Sequence, residues 1–131
     1  MDIKFPSETS GVRGVVQKIL DFVGKHNPTN EAKSDLRLVF SELLYNAVVH
    51  GNKNDPQKNV FVRINIAGSV LHAQIQDEGQ GFNFQKVVKH ANSEEALLYE
   101  DSRGMILING LTENLSFNEA GNVIQFEKRL K

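Results

Sequence analysis

The chain contains no cysteine. Disulfide scaffolds, thiolate zinc sites and cysteine nucleophiles are thereby excluded, while the compartment stays open, because a reducing cytosol permits cysteine without requiring it. Charge of one sign is lacking too. Fifteen basic residues stand against sixteen acidic ones and leave a net charge of −1, which argues against a protein held to DNA or RNA by its overall field. No stretch approaches the ~20 apolar residues that a bilayer requires. The amino terminus, M-D-I-K-F-P, has no basic segment followed by an apolar run, so no signal peptide is expected. The expectation is a soluble, cytoplasmic protein with no membrane and no direct nucleic-acid contact. There is no G-x-x-x-x-G-K-[ST], no H-E-x-x-H and no G-x-S-x-G, which speaks against a P-loop NTPase, a helix-borne zinc site and a serine hydrolase. His26, His50, His72 and His90 lie far apart in sequence, so no metal cluster is expected.

What is present is ordinary for a globular chain: 131 residues, 40% hydrophobic and 24% charged. That is room for one domain over residues 1–131, because a chain of this size buries roughly two thirds of the surface it exposes when unfolded. Ile3 to Phe5 suits a short edge strand before Pro6. Val12, Val15, Val16, Ile19, Leu20 and Val23 recur at helical spacing, and this helix ends near Gly24 before the break His26-Asn27-Pro28. A second helix starts at Thr29 or Asn30, either of which can cap it. Its apolar stripe is Ala32, Leu36, Val39, Phe40, Leu43, Leu44 and Ala47, and Gly51 is placed to end it. The period then becomes two: Val60, Val62, Ile64 and Ile66 in one strand, Leu71, Ala73 and Ile75 in its partner. Residues 83–100 read as mixed, Arg103 to Leu111 as a short apolar helix, and Leu115–Phe117 with Val123–Phe126 as a final hairpin. Lys128 to Lys131 reads as a solvated tail. The order βααββ, insert, αββ suits helices packed on one face of a largely antiparallel sheet.

Three features rise above this background. Glu42, Asn46 and His50, spaced by four, form one polar stripe on the second helix. Such a stripe is either solvated surface or a pair of groups aimed into a cleft, where a carboxylate takes a proton and an amide oxygen ligates a hard cation. Asp77 falls, counting by twos from Leu71, on the core-facing side of its strand. A carboxylate there must accept hydrogen bonds, either from the turn Glu78–Gly81 or from a ligand amino group. Ser102-Arg103-Gly104 opens the last helix, where free amides and Arg103 make an anion site.

E-L-L-Y-N-A-V-V-H-G-N, D-E-G-Q-G-F and R-G-M-I-L-I occur in this order around the strand pair. The combination resembles the nucleotide-binding domain of the GHKL (histidine-kinase-like) ATPase superfamily, nearest to the bacterial anti-sigma-factor serine/threonine kinases, over about Ile3 to Leu130. The resemblance implies an α+β fold, a two-layer α/β sandwich of the GHKL (Bergerat) type with a mostly antiparallel mixed sheet and helices on one face. It implies ATP and Mg²⁺ as cofactors, with Glu42 as general base and Asn46 holding the metal. Asp77 would accept from the adenine amino group. Gly79 and Gly81 would shape the pocket, and Arg103, Gly104 and Met105 would complete the nucleotide contacts, with the amides around Gly104 receiving the phosphates. A lid would span about 83–103. The implied partners are a sigma factor and an anti-anti-sigma antagonist, with a homodimer possible. Anti-sigma kinases usually carry glycine two positions before the one matching Gly104; here that residue is Ser102. Two other readings stand beside the kinase: a nucleotide-gated binding module without transfer, and a detached histidine-kinase catalytic domain. The absence of a dimerisation helix speaks against the last.

Overall fold

The apolar periodicities decide which faces meet. A computed structural model describes residues 1–79, 100–118 and 120–131, with the backbone alone for residues 100–103. Strand β1 (Asp2–Pro6) leads through a 3-10 turn (Thr9–Gly11) into helix α1 (Val12–Gly24). All six of the periodic α1 residues, Val12 to Val23, are buried. Helix α2 (Asn30–Asn46) begins at Thr29, whose hydroxyl accepts from the Ala32 N–H at 3.0 Å. This is the N-cap chemistry that the sequence offers at either Thr29 or Asn30. The predicted stripe from Ala32 to Ala47 is buried throughout.

Strands β2 (Asn59–Ala67) and β3 (Val70–Gln76) follow, then helix α3 (Glu100–Leu111) and strands β4 (Glu113–Phe117) and β5 (Val123–Arg129). The sheet order is β1-β2-β3-β5-β4, and its four pairings are all antiparallel. The α+β expectation is met: β2, β3 and β5 turn Val60, Val62, Ile64, Leu71, Ala73, Ile75, Ile124 and Phe126 into one core with α1, α2 and α3. At the centre of that layer the Phe40 and Phe126 rings pack 5.4 Å apart. Among the described residues, no helix is long and apolar enough to cross a membrane.

Two expectations are corrected. The last helix begins at Glu100 rather than Arg103, so Gly104 lies past its first turn. The segment 128–131 is not a solvated tail. The alternation of β5 continues inward through Ile124, Phe126, Lys128 and Leu130, and Leu130 is fully buried. Its N–H donates to Ser69 O at 2.8 Å and its carbonyl accepts from Thr29 N–H at 2.7 Å. Lys128 shares that inward face. Its ammonium donates to Asp35 Oδ2 at 2.8 Å and to Leu111 O at 2.7 Å, which resolves the burial of a long cation.

Candidate functional site

Helix α2 does not end at Asn46 but widens into a π-helical turn, Ala47–Gly51, closed by Asn52 N–H donating to Ala47 O at 2.8 Å. Such widened turns bend a helix and re-aim its last side chains. Here the turn delivers Gly51 and Asn52 beneath the end of β3. A side chain at position 51 would have its Cβ 2.5 Å from Asp77 Cγ, and one at position 79 would have its Cβ 2.6 Å from the Gly51 carbonyl carbon. Glycine at both positions is therefore a packing requirement: the two backbones and the Asp77 carboxylate occupy one small volume.

Asp77 is buried, 5% exposed, as its strand parity predicts. Its Oδ1 accepts from Gly79 N–H at 2.8 Å, and its own N–H donates to Asn122 O at 3.0 Å. Burial pushes the carboxyl above its ordinary value of 3.8, while the Gly79 N–H and the positive charge of Lys58 pull it back down. Among the described residues Oδ2 has no hydrogen-bond partner. A buried carboxylate has capacity for more hydrogen bonds than the one from the turn.

Asp77 shares a cleft with Asn46, and Leu43, Ala47, Ile75, Asn122 and Ile124 complete its lining. In this conformation the described walls leave space for about one water molecule. Asn46 is half-buried at the mouth, with an amide oxygen able to hold a hard cation. Glu42, one turn earlier on α2 and also half-buried, faces α3. A Cβ on Gly104 would come 2.9 Å from Glu42 Oε2, so Gly104 lets α3 pack directly against that carboxylate. The free amides of α3 belong to its first turn, residues 100–103. Met105 is 1% exposed, a core side chain. His50, the last member of the polar stripe, lies in the π turn and is exposed. Gly81, the side chain of Arg103 and the lid expected at 83–103, apart from its last backbone turn, fall outside the described residues. Among the described residues no group of acidic residues and histidines could hold a metal by itself.

Asn52 closes the E-L-L-Y-N-A-V-V-H-G-N segment and has no role assigned to it from the sequence. It is 1% exposed. Its Nδ2 donates to Ser7 Oγ at 2.6 Å and to Asn59 O at 3.0 Å, and its Oδ1 accepts from Glu78 N–H at 2.7 Å. These partners lie 45, 7 and 26 residues away, so no local pattern signals them.

A family model described as the histidine kinase-like ATPase domain matches residues 5–128. Among curated proteins the chain is similar to the anti-sigma F factor of Bacillus licheniformis, 23% identical over 99% of this chain and 92% of that protein. It is 30% identical to the anti-sigma F factor of Geobacillus thermodenitrificans over 62% of this chain and 56% of the relative. A Geobacillus sp. protein of the same name is 37% identical over 57% and 46%. The chain thus spans most of the first of these relatives, and about half the length of the other two is matched.

Proposed function

Because the chain belongs to the histidine kinase-like ATPase family, we propose that it is an ATP-binding anti-sigma-factor-type serine/threonine protein kinase, a partner-switching regulator of transcription. The observation that carries the nucleotide assignment is the buried Asp77 carboxylate, whose Oδ1 accepts from Gly79 and which lines one cleft with Asn46. A fixed acceptor matches the exocyclic amino group of adenine and opposes the carbonyl of guanine, so ATP is preferred to GTP. The names of the relatives support the regulatory half of the reading.

The donor chemistry of the described residues suits Mg²⁺·ATP. Asn46 would hold the metal through its amide oxygen together with phosphate oxygens, and the metal would neutralise charge on the transferred phosphoryl group. The first-turn amides of α3 would receive phosphate, and the last helix brings them to the same side as Glu42. Glu42 would take the proton from a serine or threonine hydroxyl of a partner protein as that oxygen bonds to the γ-phosphorus, while the bond from the γ-phosphorus to the bridging oxygen breaks and ADP leaves with the electron pair. The family resemblance and the names of the relatives make an anti-anti-sigma antagonist the implied substrate and a sigma factor the implied held partner.

Glu42→Ala tests the mechanism: phosphoryl transfer to the antagonist is lost while calorimetric ATP affinity stays within a few-fold of the parent. Loss of both together would make Glu42 structural. Mixing protein, Mg²⁺·ATP and antagonist separates the kinase from a nucleotide-gated binding module. Phosphoserine or phosphothreonine on the antagonist supports the kinase, and an ATP-dependent complex without transfer supports the module.

A further inference from the structure

Ser7 and Asn52 are buried polar side chains that the proposed chemistry leaves without a role. Asn52 uses both its side-chain N–H donors and its carbonyl oxygen, on three different segments: the end of β1, the start of β2 and the exit of β3. Ser7 in turn donates to Lys58 O at 2.8 Å, so the residue that Asn52 leans on is itself anchored. The backbone N–H of Asn52 closes the π turn on Ala47. Asn52 cannot follow a moving loop, because its other contacts are made to the ends of two paired strands.

What it holds is the peptide that follows Asp77. Glu78 N–H donates to Asn52 Oδ1 at 2.7 Å, while the peptide preceding Asp77 is held by Asn122 O. With the amide on either side of its Cα anchored, the Asp77 backbone has no freedom left, and the Gly79 N–H then sets the carboxylate rotation. Glu78 adds a second tie, its Oε2 accepting from Asn59 N–H at 2.6 Å. Discrimination between two purines that exchange an amino group for a carbonyl requires an acceptor that cannot swing away from the wrong one.

We propose that Asn52 is a positioning residue: by clamping the Asp77–Glu78 peptide it fixes the carboxylate that recognises adenine, and thereby sets the preference for adenine over guanine nucleotides. This rests on the reading of Asp77 given above. Asn52→Leu, close in shape and apolar, removes the clamp with little change in volume. Ser7→Ala removes one anchor of Asn52 and leaves its bond to Glu78.

The test compares ATP and GTP affinities of the full chain, measured by calorimetry and by competition against a fluorescent ATP analogue, with melting temperature alongside. Asn52→Leu is expected to lower the ATP-to-GTP preference about tenfold, the equivalent of one hydrogen bond. Ser7→Ala is expected to lower the melting temperature and keep the preference. If Asn52→Leu weakens both nucleotides equally as it melts earlier, Asn52 is only structural and the proposal is overturned. Asp77→Asn separates the two levels. Unchanged ATP affinity there removes the adenine reading and the proposal with it, whereas weakened ATP binding beside an unaltered preference in Asn52→Leu removes the proposal alone. Should Asn52→Leu not fold, amide exchange on the unmodified chain decides: Glu78 and Gly79 are expected to be as protected without nucleotide as Ile75, and rapid exchange that slows only on adding ATP overturns the clamp.

Discussion

Replacing Asp77 by asparagine separates what this residue does for the ligand from what it does to the fold. An asparagine has one accepting oxygen and one donating nitrogen, so it cannot accept at both δ positions. If its oxygen keeps the bond to Gly79 N–H, its amino group faces the amino group of adenine; if it flips, two donors meet at Gly79 instead. Either way one charge-assisted hydrogen bond is lost, worth roughly 1.5–3 kcal/mol, or about 10- to 150-fold in ATP affinity. Stability moves the other way. Burial raises the Asp77 carboxyl above 3.8, with Gly79 and Lys58 only partly offsetting it. The native chain therefore binds that proton more tightly than the unfolded chain. This group favours folding fully below about pH 3.8, and the contribution is lost as pH rises through the raised native value. At pH 7 the ligand-free variant should therefore melt no earlier than the parent. Isothermal calorimetry and scanning calorimetry on the same samples check both. Unchanged ATP affinity refutes the adenine assignment, and weakened affinity accompanied by a melting point many degrees lower refutes the division between ligand and fold.

The same carboxyl should make ATP affinity fall as pH is lowered from 7 towards its raised pKa, and Asp77→Asn should lose that component while keeping the part due to phosphate titration; parallel slopes in the two proteins would refute it. Gly51→Ala drives a Cβ into the Asp77 carboxylate, and overpacking of this kind costs roughly 1–3 kcal/mol together with nucleotide affinity, read by denaturant titration and calorimetry. Gly104→Ala meets only the mobile end of Glu42, so stability should change little while phosphoryl transfer to the antagonist drops, the reverse of Gly51→Ala. Lys128→Met strands Asp35 and Leu111 O without their donor and should cost about 1.5–3 kcal/mol in urea unfolding.

The sequence discloses most of the fold because its two periodicities are strict. The six α1 positions and the alternating residues of β2 and β3 are the ones found buried, except that Ile66 at the end of β2 is only partly so, and Thr29 caps α2 with a bond that needs only three residues of chain. Within the site, Asp77 is legible for the same reason: strand parity alone puts a carboxylate inside. Other features depend on geometry that no short pattern encodes. The π turn at Ala47–Gly51 looks like ordinary helix in sequence, because Val48 and Val49 continue the apolar run. Gly51 reads as a helix stop, yet its lack of a side chain is demanded by Asp77, far along the chain. Lys128 and Leu130 look like a charged tail until β5 is seen to pair through to Arg129, which places alternate residues of that tail inward. Gly104 reads as the opening of a helix that in fact begins at Glu100, and its actual neighbour is Glu42.

The placement of β5 also governs when this domain can exist during synthesis. The strand nearest the end of the chain is not at the sheet's edge but between β3 and β4, and it supplies Ile124, Phe126 and Leu130 to the core. A ribosome that has released residues 1–117 has therefore exposed a β1-β2-β3 meander whose inner edge is bare and a β4 segment with nothing to pair with. The cleft between Asp77 and Asn46 is unfinished at that stage too, since Asp77 N–H awaits Asn122 and the cleft wall awaits Ile124. Folding dominated by such distant pairings is slow, and an open inner edge is a hazard for a nascent chain. The core and the cleft are therefore completed together, and only once β5 has been inserted between β3 and β4.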